Sequence, residues 1–417
     1  MQPLAEVRPL GPSDPLAEPA LHRELFDRYL VWDAFVAGAR RVDVHPLVLP
    51  AALHASAVCA AEAVTRIVCD VGARAHEDAE ERARYRFPAC VEALAAASHT
   101  SRDDALLARV DLLLGDDGRW RACELNADCP GGHNEALGLP NLALAAGFRG
   151  GANPTVVTGS LVDRLIELAG GRAVGLMYAT AYAEDLQICA LLRRLIEARG
   201  ARALLVSPTQ PRLRGEALVA RGEALGVLYR FFPAEYMEGQ KNLPDILAAV
   251  ASGAVRTLTS FGHIYAQSKL AFARTWAIAD SLPAADRALL SAHLPESHEA
   301  GAVPRTRLVE HRADWVLKRA LGRVGDQVYV GALFHDDEWS SVVAEIQGLC
   351  GEGESWIAQR FVRQRTIPTP WGDRYVTLGA YVQDGRFVGY FARITPESHV
   401  SHDALCVPVF VAPAEAA

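Results

Sequence analysis

The 417-residue sequence has no excess of basic residues: 42 lysines and arginines against 50 aspartates and glutamates give a formal net charge of −8. That removes the electrostatic footprint expected of a nucleic-acid binder or an anionic-membrane binder. No unbroken apolar run approaches the ~20 residues that span a bilayer. The opening MQPLAEVRPLGPSDPLAEP lacks a basic stretch followed by an apolar core, so it reads as a Pro-rich lead-in rather than a secretory signal. A cytoplasmic protein is the default expectation. None of the eight cysteines forms a C-x-x-C pair, and most sit in apolar segments such as AVCAAEAV and ALCVPVFV. Buried, reduced thiols are expected. Cys123, Cys129 and His133 are the one grouping with metal character, and zinc needs a fourth ligand and better spacing. Two nucleotide signatures are also missing. No G-x-G-x-x-G follows the apolar strand RAVGLMYAT, which excludes a Rossmann-type cofactor there, and no G-K-[ST] marks a Walker A loop.

Half of the residues are hydrophobic, enough for two or three packed units. The most informative stretch runs from Arg109 to Glu135, RVDLLLGDDGRWRACELNADCPGGHNE. Two short apolar runs around Gly115-Asp116-Asp117-Gly118 predict a β-hairpin. Side chains alternate along a strand, so Glu124 and Asn126 share a face, and Asp111 on the partner strand can reach the same place. Two carboxylates and an amide oxygen suit a hard cation such as Mg²⁺, completed by waters and a nucleotide's phosphates. The competing reading is an ordinary solvated hairpin face. A polar, Gly/Pro-rich loop follows the strand, a common way to present ligands.

R-x-D, a hairpin, then E-x-N-A-D-x-P resembles the glutathionylspermidine synthase-like family of circularly permuted ATP-grasp ligases. The C-terminal half carries a second match. Trp315-Val-Leu-Lys318 is a strand followed by a loop with Gly322, Gly325 and Gly331. Such a loop either cradles phosphates through backbone N–H groups beside a lysine, or is a Gly-rich hairpin with a surface lysine. Trp356-Ile-Ala-Gln359 is another strand, and two more flank Asp384-Gly385 and end at Arg393. The order K…G-x-x-G…Q-x-F-V…DGR-x-x-G-x-x-x-R resembles the same family.

Between the two matches, strand RAVGLMYAT, helix AEDLQICALLRRLIEARG and strand ARALLVSPTQ form a βαβ unit and imply a parallel sheet. Tyr229-Arg230 closes a further strand of this unit as a candidate polar contact. The expected organisation is a lead-in (1–20), a helical region opening with one amphipathic helix in LHRELFDRYLVWDAFVAG (21–108), the metal-binding hairpin and loop (109–152), an α/β substrate-side domain (153–265) and the nucleotide-binding part (266–417). The fold class is α/β (α+β), which the resemblance makes a circularly permuted ATP-grasp.

The resemblance implies an ADP-forming ligase that joins a small amino acid, peptide or polyamine through an acyl-phosphate, using ATP and Mg²⁺. By motif position, Asp111, Glu124 and Asn126 match the metal ligands. Lys318, Gly322, Gly325, Gln359 and Lys269 match the nucleotide side. Arg109 and Arg393 match arginines against the transferred phosphate or acyl group. The partners implied are a small carboxylate and an amine, with no nucleic acid or membrane, and a homodimer as one assembly. Three departures stand out: Cys129-Pro130-Gly131 where the family places small hydroxyl residues, Arg319 in place of proline, and Asp326 near the phosphates. A catalytically silent nucleotide- or peptide-binding member is the alternative. A non-nucleotide α/β enzyme is the third reading, and it leaves Lys318 far from Glu124.

Overall fold

The protein is described by a computed structural model over residues 5–11, 14–36, 38–323, 327–398 and 404–413. Its centre is an antiparallel sheet of five strands in the order Leu405–Val407, Arg386–Thr395, Tyr375–Gln383, Leu107–Leu114 and Trp120–Asn126. Both expected hairpins are here. Gly118 turns the first at φ +77°, and Asp384-Gly385 turns the second with both residues at positive φ, the primed-turn geometry that matches strand twist. The two hairpins join through pairing of Tyr375–Gln383 with Leu107–Leu114, Gly379 lying opposite Asp111.

One face of this sheet is covered by the 27-residue helix Ala51–Glu77. Its inner stripe of Ala57, Ala60, Ala61, Val64 and Val68 is buried, small side chains that let the helix approach closely. By length and composition this helix is long and apolar enough to cross a membrane. Glu62, Arg66 and Asp70 interrupt its apolar sequence, and its packing on the sheet makes it a core helix.

A second, four-stranded antiparallel sheet has the order Ser297–Glu299, Trp356–Arg360, Trp315–Arg319, Val328–Val330. Trp315, Leu317, Trp356 and Ala358 pack against Trp339, Val343 and Ile346 of helix Asp336–Gly351. By alternation, Lys318 and Gln359 point to the other side, toward the central sheet. The third unit is the expected α/β element. Strands Ala203–Val206, Ala173–Tyr178, Glu223–Phe231 and Arg256–Leu258 pair in parallel, and an antiparallel pair (Arg212–Arg214, Ala217–Ala220) extends it.

Local expectations are corrected in places. The amphipathic helix expected from Leu21 is short: Pro19–Arg23 passes into a π-helical turn, Glu24–Arg28, and stops at Leu30, φ +54°. Distant side chains offer the backbone other partners: Asn134 Nδ2 donates to the Tyr29 carbonyl at 2.8 Å, and Gln187 accepts from Trp32 N at 2.9 Å. The lead-in joins the fold through Glu6–Val7, which pairs with Leu47–Leu49. In the charged segment 76–86, Glu81 is buried and pairs with Arg274 at 2.8 Å through both oxygens. All eight cysteines are free, and Cys59 is exposed rather than buried.

Candidate active site

The site lies on the sheet face opposite the long helix. Cross-strand pairing places Asp111 opposite Glu124 and Arg109 opposite Asn126, so these four side chains share one face. A bulge after Asp111 leaves Cys123 as the extra residue, and its thiol donates to the Asp111 carbonyl at 3.3 Å. Burial pushes the Cys123 and Cys129 thiols up to about 11 and about 12, so both stay protonated. Among the described residues, no group of three His, Cys, Asp or Glu side chains is arranged to hold a metal.

Asp111 is the hub. Arg109 donates to both carboxylate oxygens, at 2.6 and 3.0 Å, and Arg393 adds a bond at 2.8 Å from the neighbouring hairpin. Burial works against its ionisation, and the Arg109 and Arg393 charges outweigh it, holding the carboxyl below its ordinary range. Both guanidinium groups lie near the Phe391 ring, with centroid distances of 5.3 and 5.7 Å. Gly379 makes room for this stack: a Cβ there would stand 2.7 Å from Arg109 Cδ and 2.9 Å from the Phe391 carbonyl. Gly379→Ala is therefore expected to cost about 1–3 kcal/mol and to shift Arg109 off Asp111. Denaturant melts checked against nucleotide binding measure both effects, and a variant matching wild type in both would remove the packing argument.

The loop Asp128–Gly132 folds back over this face. Gly132, at φ +93°, lets the chain pass Phe391 and Tyr381, where a Cβ would come within 2.9 Å of both. The Gly131 carbonyl accepts from Arg109 at 2.9 Å and from Tyr381 at 2.5 Å. His133 follows, hydrogen-bonded to Tyr229 at 3.1 Å; burial, reinforced by Arg109, drives its pKa down to about 3, so it is a neutral core histidine.

Glu124 faces the second sheet. Lys269 Nζ is 2.7 Å from Glu124 Oε1 and donates to the Gly322 carbonyl at 2.7 Å. Burial raises the Glu124 carboxyl and the Lys269 charge outweighs it, for a net downward shift. Lys318 arrives from its strand and donates to the Cys123 carbonyl at 2.9 Å and to Gln359 Oε1 at 2.7 Å. Burial lowers its pKa, with Cys123 and Glu124 acting against the shift. Gln359 is in turn held by Ser297, so its side chain orients Lys318. Lys318 and Glu124 thus belong to one cluster, against the third reading.

The structure brings together Arg109, Asp111, Glu124, Asn126, Lys269, Lys318, Gln359, Gly322 and Arg393. Gly325 and Asp326 lie outside the described residues. Arg319 is exposed on the far side of its strand, 3.1 Å from Gln327 Oε1. Among the described residues, four cations face two carboxylates, an excess of two positive charges. Two buried donors here, Arg393 Nε and Asn126 Nδ2, have no partner among the described residues. Unused donors and surplus positive charge fit an oxyanion ligand such as a phosphate chain. They fit a divalent ion only in company with such an anion, because the carboxylates are already paired with arginine and lysine.

One signal in the sequence marks two of these residues directly. The chain has only three lysines, at 241, 269 and 318. Lys241 is exposed, and the other two are buried here. In a chain that otherwise uses arginine, these two buried ammonium groups stand out as compact point charges. Asp128 and Arg323 also went unassigned, although Asp128 stands in the E-x-N-A-D motif; it is fully buried between Arg230 and Arg323.

Glu135 lies one turn beyond the loop, near Asp33, Arg41 and Glu184. Burial, aided by Asp33, raises its pKa from 4.5 to about 7. The folded state therefore holds this proton more tightly than the unfolded chain. The stability it contributes is complete below about pH 4.5 and is lost as pH rises through 7. Glu135→Gln should gain stability relative to wild type between pH 4.5 and pH 8, by up to about 3 kcal/mol. Urea melts at the two pH values test this, and a pH-independent difference would contradict it.

No curated protein matches the chain. Among solved structures, a glutathione synthetase-like effector from Globodera pallida in its apo form has a TM-score of 0.57 over 96% of this chain and 98% of that one, at 11% identity. At that identity the two share a fold. A putative gamma-glutamylcysteine synthetase from Methylobacillus flagellatus KT has a TM-score of 0.40 at 12% identity, over 82% and 85% of the two chains. The sequence model described as glutathionylspermidine synthase preATP-grasp matches residues 50–412, and the chain belongs to that family of carboxylate–amine ligases.

Proposed function

We propose that the protein is an ATP- and Mg²⁺-dependent, ADP-forming ligase that joins a small carboxylate, such as an amino acid or peptide, to an amine such as a polyamine, in the cytoplasm. The single observation that carries this reading is the meeting of Lys318 and Lys269 with the Glu124 hairpin. The acidic hairpin precedes the lysine strand in the chain, an order consistent with a circularly permuted ATP-grasp.

In this reading Lys269 and Lys318 hold the phosphates, and Gln359 keeps Lys318 aimed. Glu124 and Asn126 would hold the metal together with the nucleotide. Bound Mg²⁺ supplies charge neutralisation on the phosphoryl groups. Arg393 turns its unused Nε to the transferred phosphoryl or acyl oxygen, and Asp111 fixes Arg109 and Arg393 beside each other. The carboxylate attacks the terminal phosphorus of ATP and releases ADP. The amine then displaces phosphate from the acyl-phosphate and loses a proton. The loop Asp128–Gly132 lies across the face and limits water there.

Pairing of Asp111 and Glu124 with cationic side chains favours a second reading, a silent nucleotide-binding member. Assaying ADP release with panels of carboxylates and amines separates the two. Release that needs both substrates and disappears in Arg393→Lys supports the ligase. Nucleotide binding without release from any pair favours the silent protein.

A further inference from the structure

One buried charge network beside the site takes no part in the chemistry proposed above. Asp128 is enclosed between two guanidinium groups, from Arg230 and Arg323. Arg230, in the α/β strand Glu223–Phe231, is held by the carbonyls of Phe232 at 3.2 Å and Thr259 at 3.1 Å and lies 4.3 Å from the Phe261 ring centroid. Arg323 comes from the segment after the lysine strand. Its Nη2 is 2.5 Å from Asp128 Oδ2, and it pairs with both oxygens of Glu235 at 2.6 and 2.9 Å. Its Nη1 lies 3.5 Å from Cys129 Sγ. Glu235 belongs to the helical turn Ala234–Met237 of the α/β unit.

Arg323 therefore touches all three parts of the molecule. Its neighbour Gly322 gives its carbonyl to Lys269 Nζ, and the Ala320 carbonyl accepts from Lys269 N at 2.8 Å. Lys269 is the residue that faces Glu124. Two guanidinium groups balance Asp128 and Glu235. If the segment moved away, Glu235 would have no cation among the described residues, and Asp128 only Arg230. A planar, bidentate guanidinium meets two carboxylates at once, which a lysine ammonium cannot do with the same geometry.

We propose that Arg323 is a positioning residue: by bridging Asp128 and Glu235 it anchors Ala320–Arg323 against the hairpin loop and the α/β unit, keeps Lys269 aligned through Gly322, and slows nucleotide release. The inference rests on the ligase reading and deepens it. The test is stopped-flow dissociation of a fluorescent ATP analogue (mant-ATP with Mg²⁺) from the full chain. Arg323→Lys should release the nucleotide about tenfold faster, a change carried by the off-rate. Glu235→Gln should do so less strongly, and the double variant should be no worse than Arg323→Lys alone, because both act through one pair. Should Arg323→Lys fail to fold, Glu235→Gln carries the test, since its partly exposed side chain keeps its shape. Wild-type release rates in both variants would overturn the inference and leave the ligase reading standing. No binding of mant-ATP to the wild type would overturn both.

Discussion

Asp111→Asn is expected to lower folding stability by about 3–5 kcal/mol, the range for breaking a buried ion pair from one side. Arg109 is nine-tenths buried, and it spends two hydrogen bonds on this carboxylate. Arg393 spends a third. Asparagine offers one acceptor oxygen and no charge, leaving two neighbouring guanidinium groups to repel each other. The pH dependence separates this cause from simple packing loss. The wild-type carboxyl is depressed below its ordinary 3.8, so its contribution is present above that pH and disappears as pH falls through the lower folded value. The gap between wild type and variant should therefore be full at pH 7 and close in strong acid. A gap unchanged down to acid pH would point to shape alone.

Lys318→Met is expected to do the opposite: stability within about 1 kcal/mol of wild type, with nucleotide affinity down about a hundredfold or more. Burial already lowers the Lys318 pKa, so keeping its ammonium charged costs the folded protein free energy. Methionine has similar length and needs no solvation. It leaves the Cys123 carbonyl and Gln359 Oε1 without a donor, and relief from burying a charge offsets that loss. A residue that costs stability and sits among unused donors is there for a ligand. Thermal melts beside nucleotide titrations decide the point. Large destabilisation with affinity intact would make Lys318 a structural residue.

The hairpins and the βαβ unit were legible because their causes are local. Alternation with period two, the Asp-Gly turns and the helical spacing of 183–198 act over a few residues. The meeting of the candidate site residues was legible where motif and fold coincide, since Asp111 and Glu124 pair across one turn. What pairs with them was not. Arg393 is 282 residues from Asp111 and Lys269 is far from Glu124 in sequence, so no spacing rule joins them. The end of the first helix was hidden for the same reason, because Asn134 and Gln187 draw its backbone away. Arg323 was illegible in a loop read for its glycines, although its partner Asp128 stood in the motif. The scarcity of lysine is the one global signal that marks two site residues without any structure.

The most direct test of the account is calorimetric binding of a non-hydrolysable ATP analogue to the wild type, with and without Mg²⁺, alongside Glu124→Ala. Because Lys269 already neutralises Glu124, Mg²⁺ alone should bind weakly, and the analogue should bind tightly only with Mg²⁺ present. Glu124→Ala should lose that magnesium dependence. Absence of binding to the wild type under every condition would contradict the nucleotide site, and with it the ligase reading.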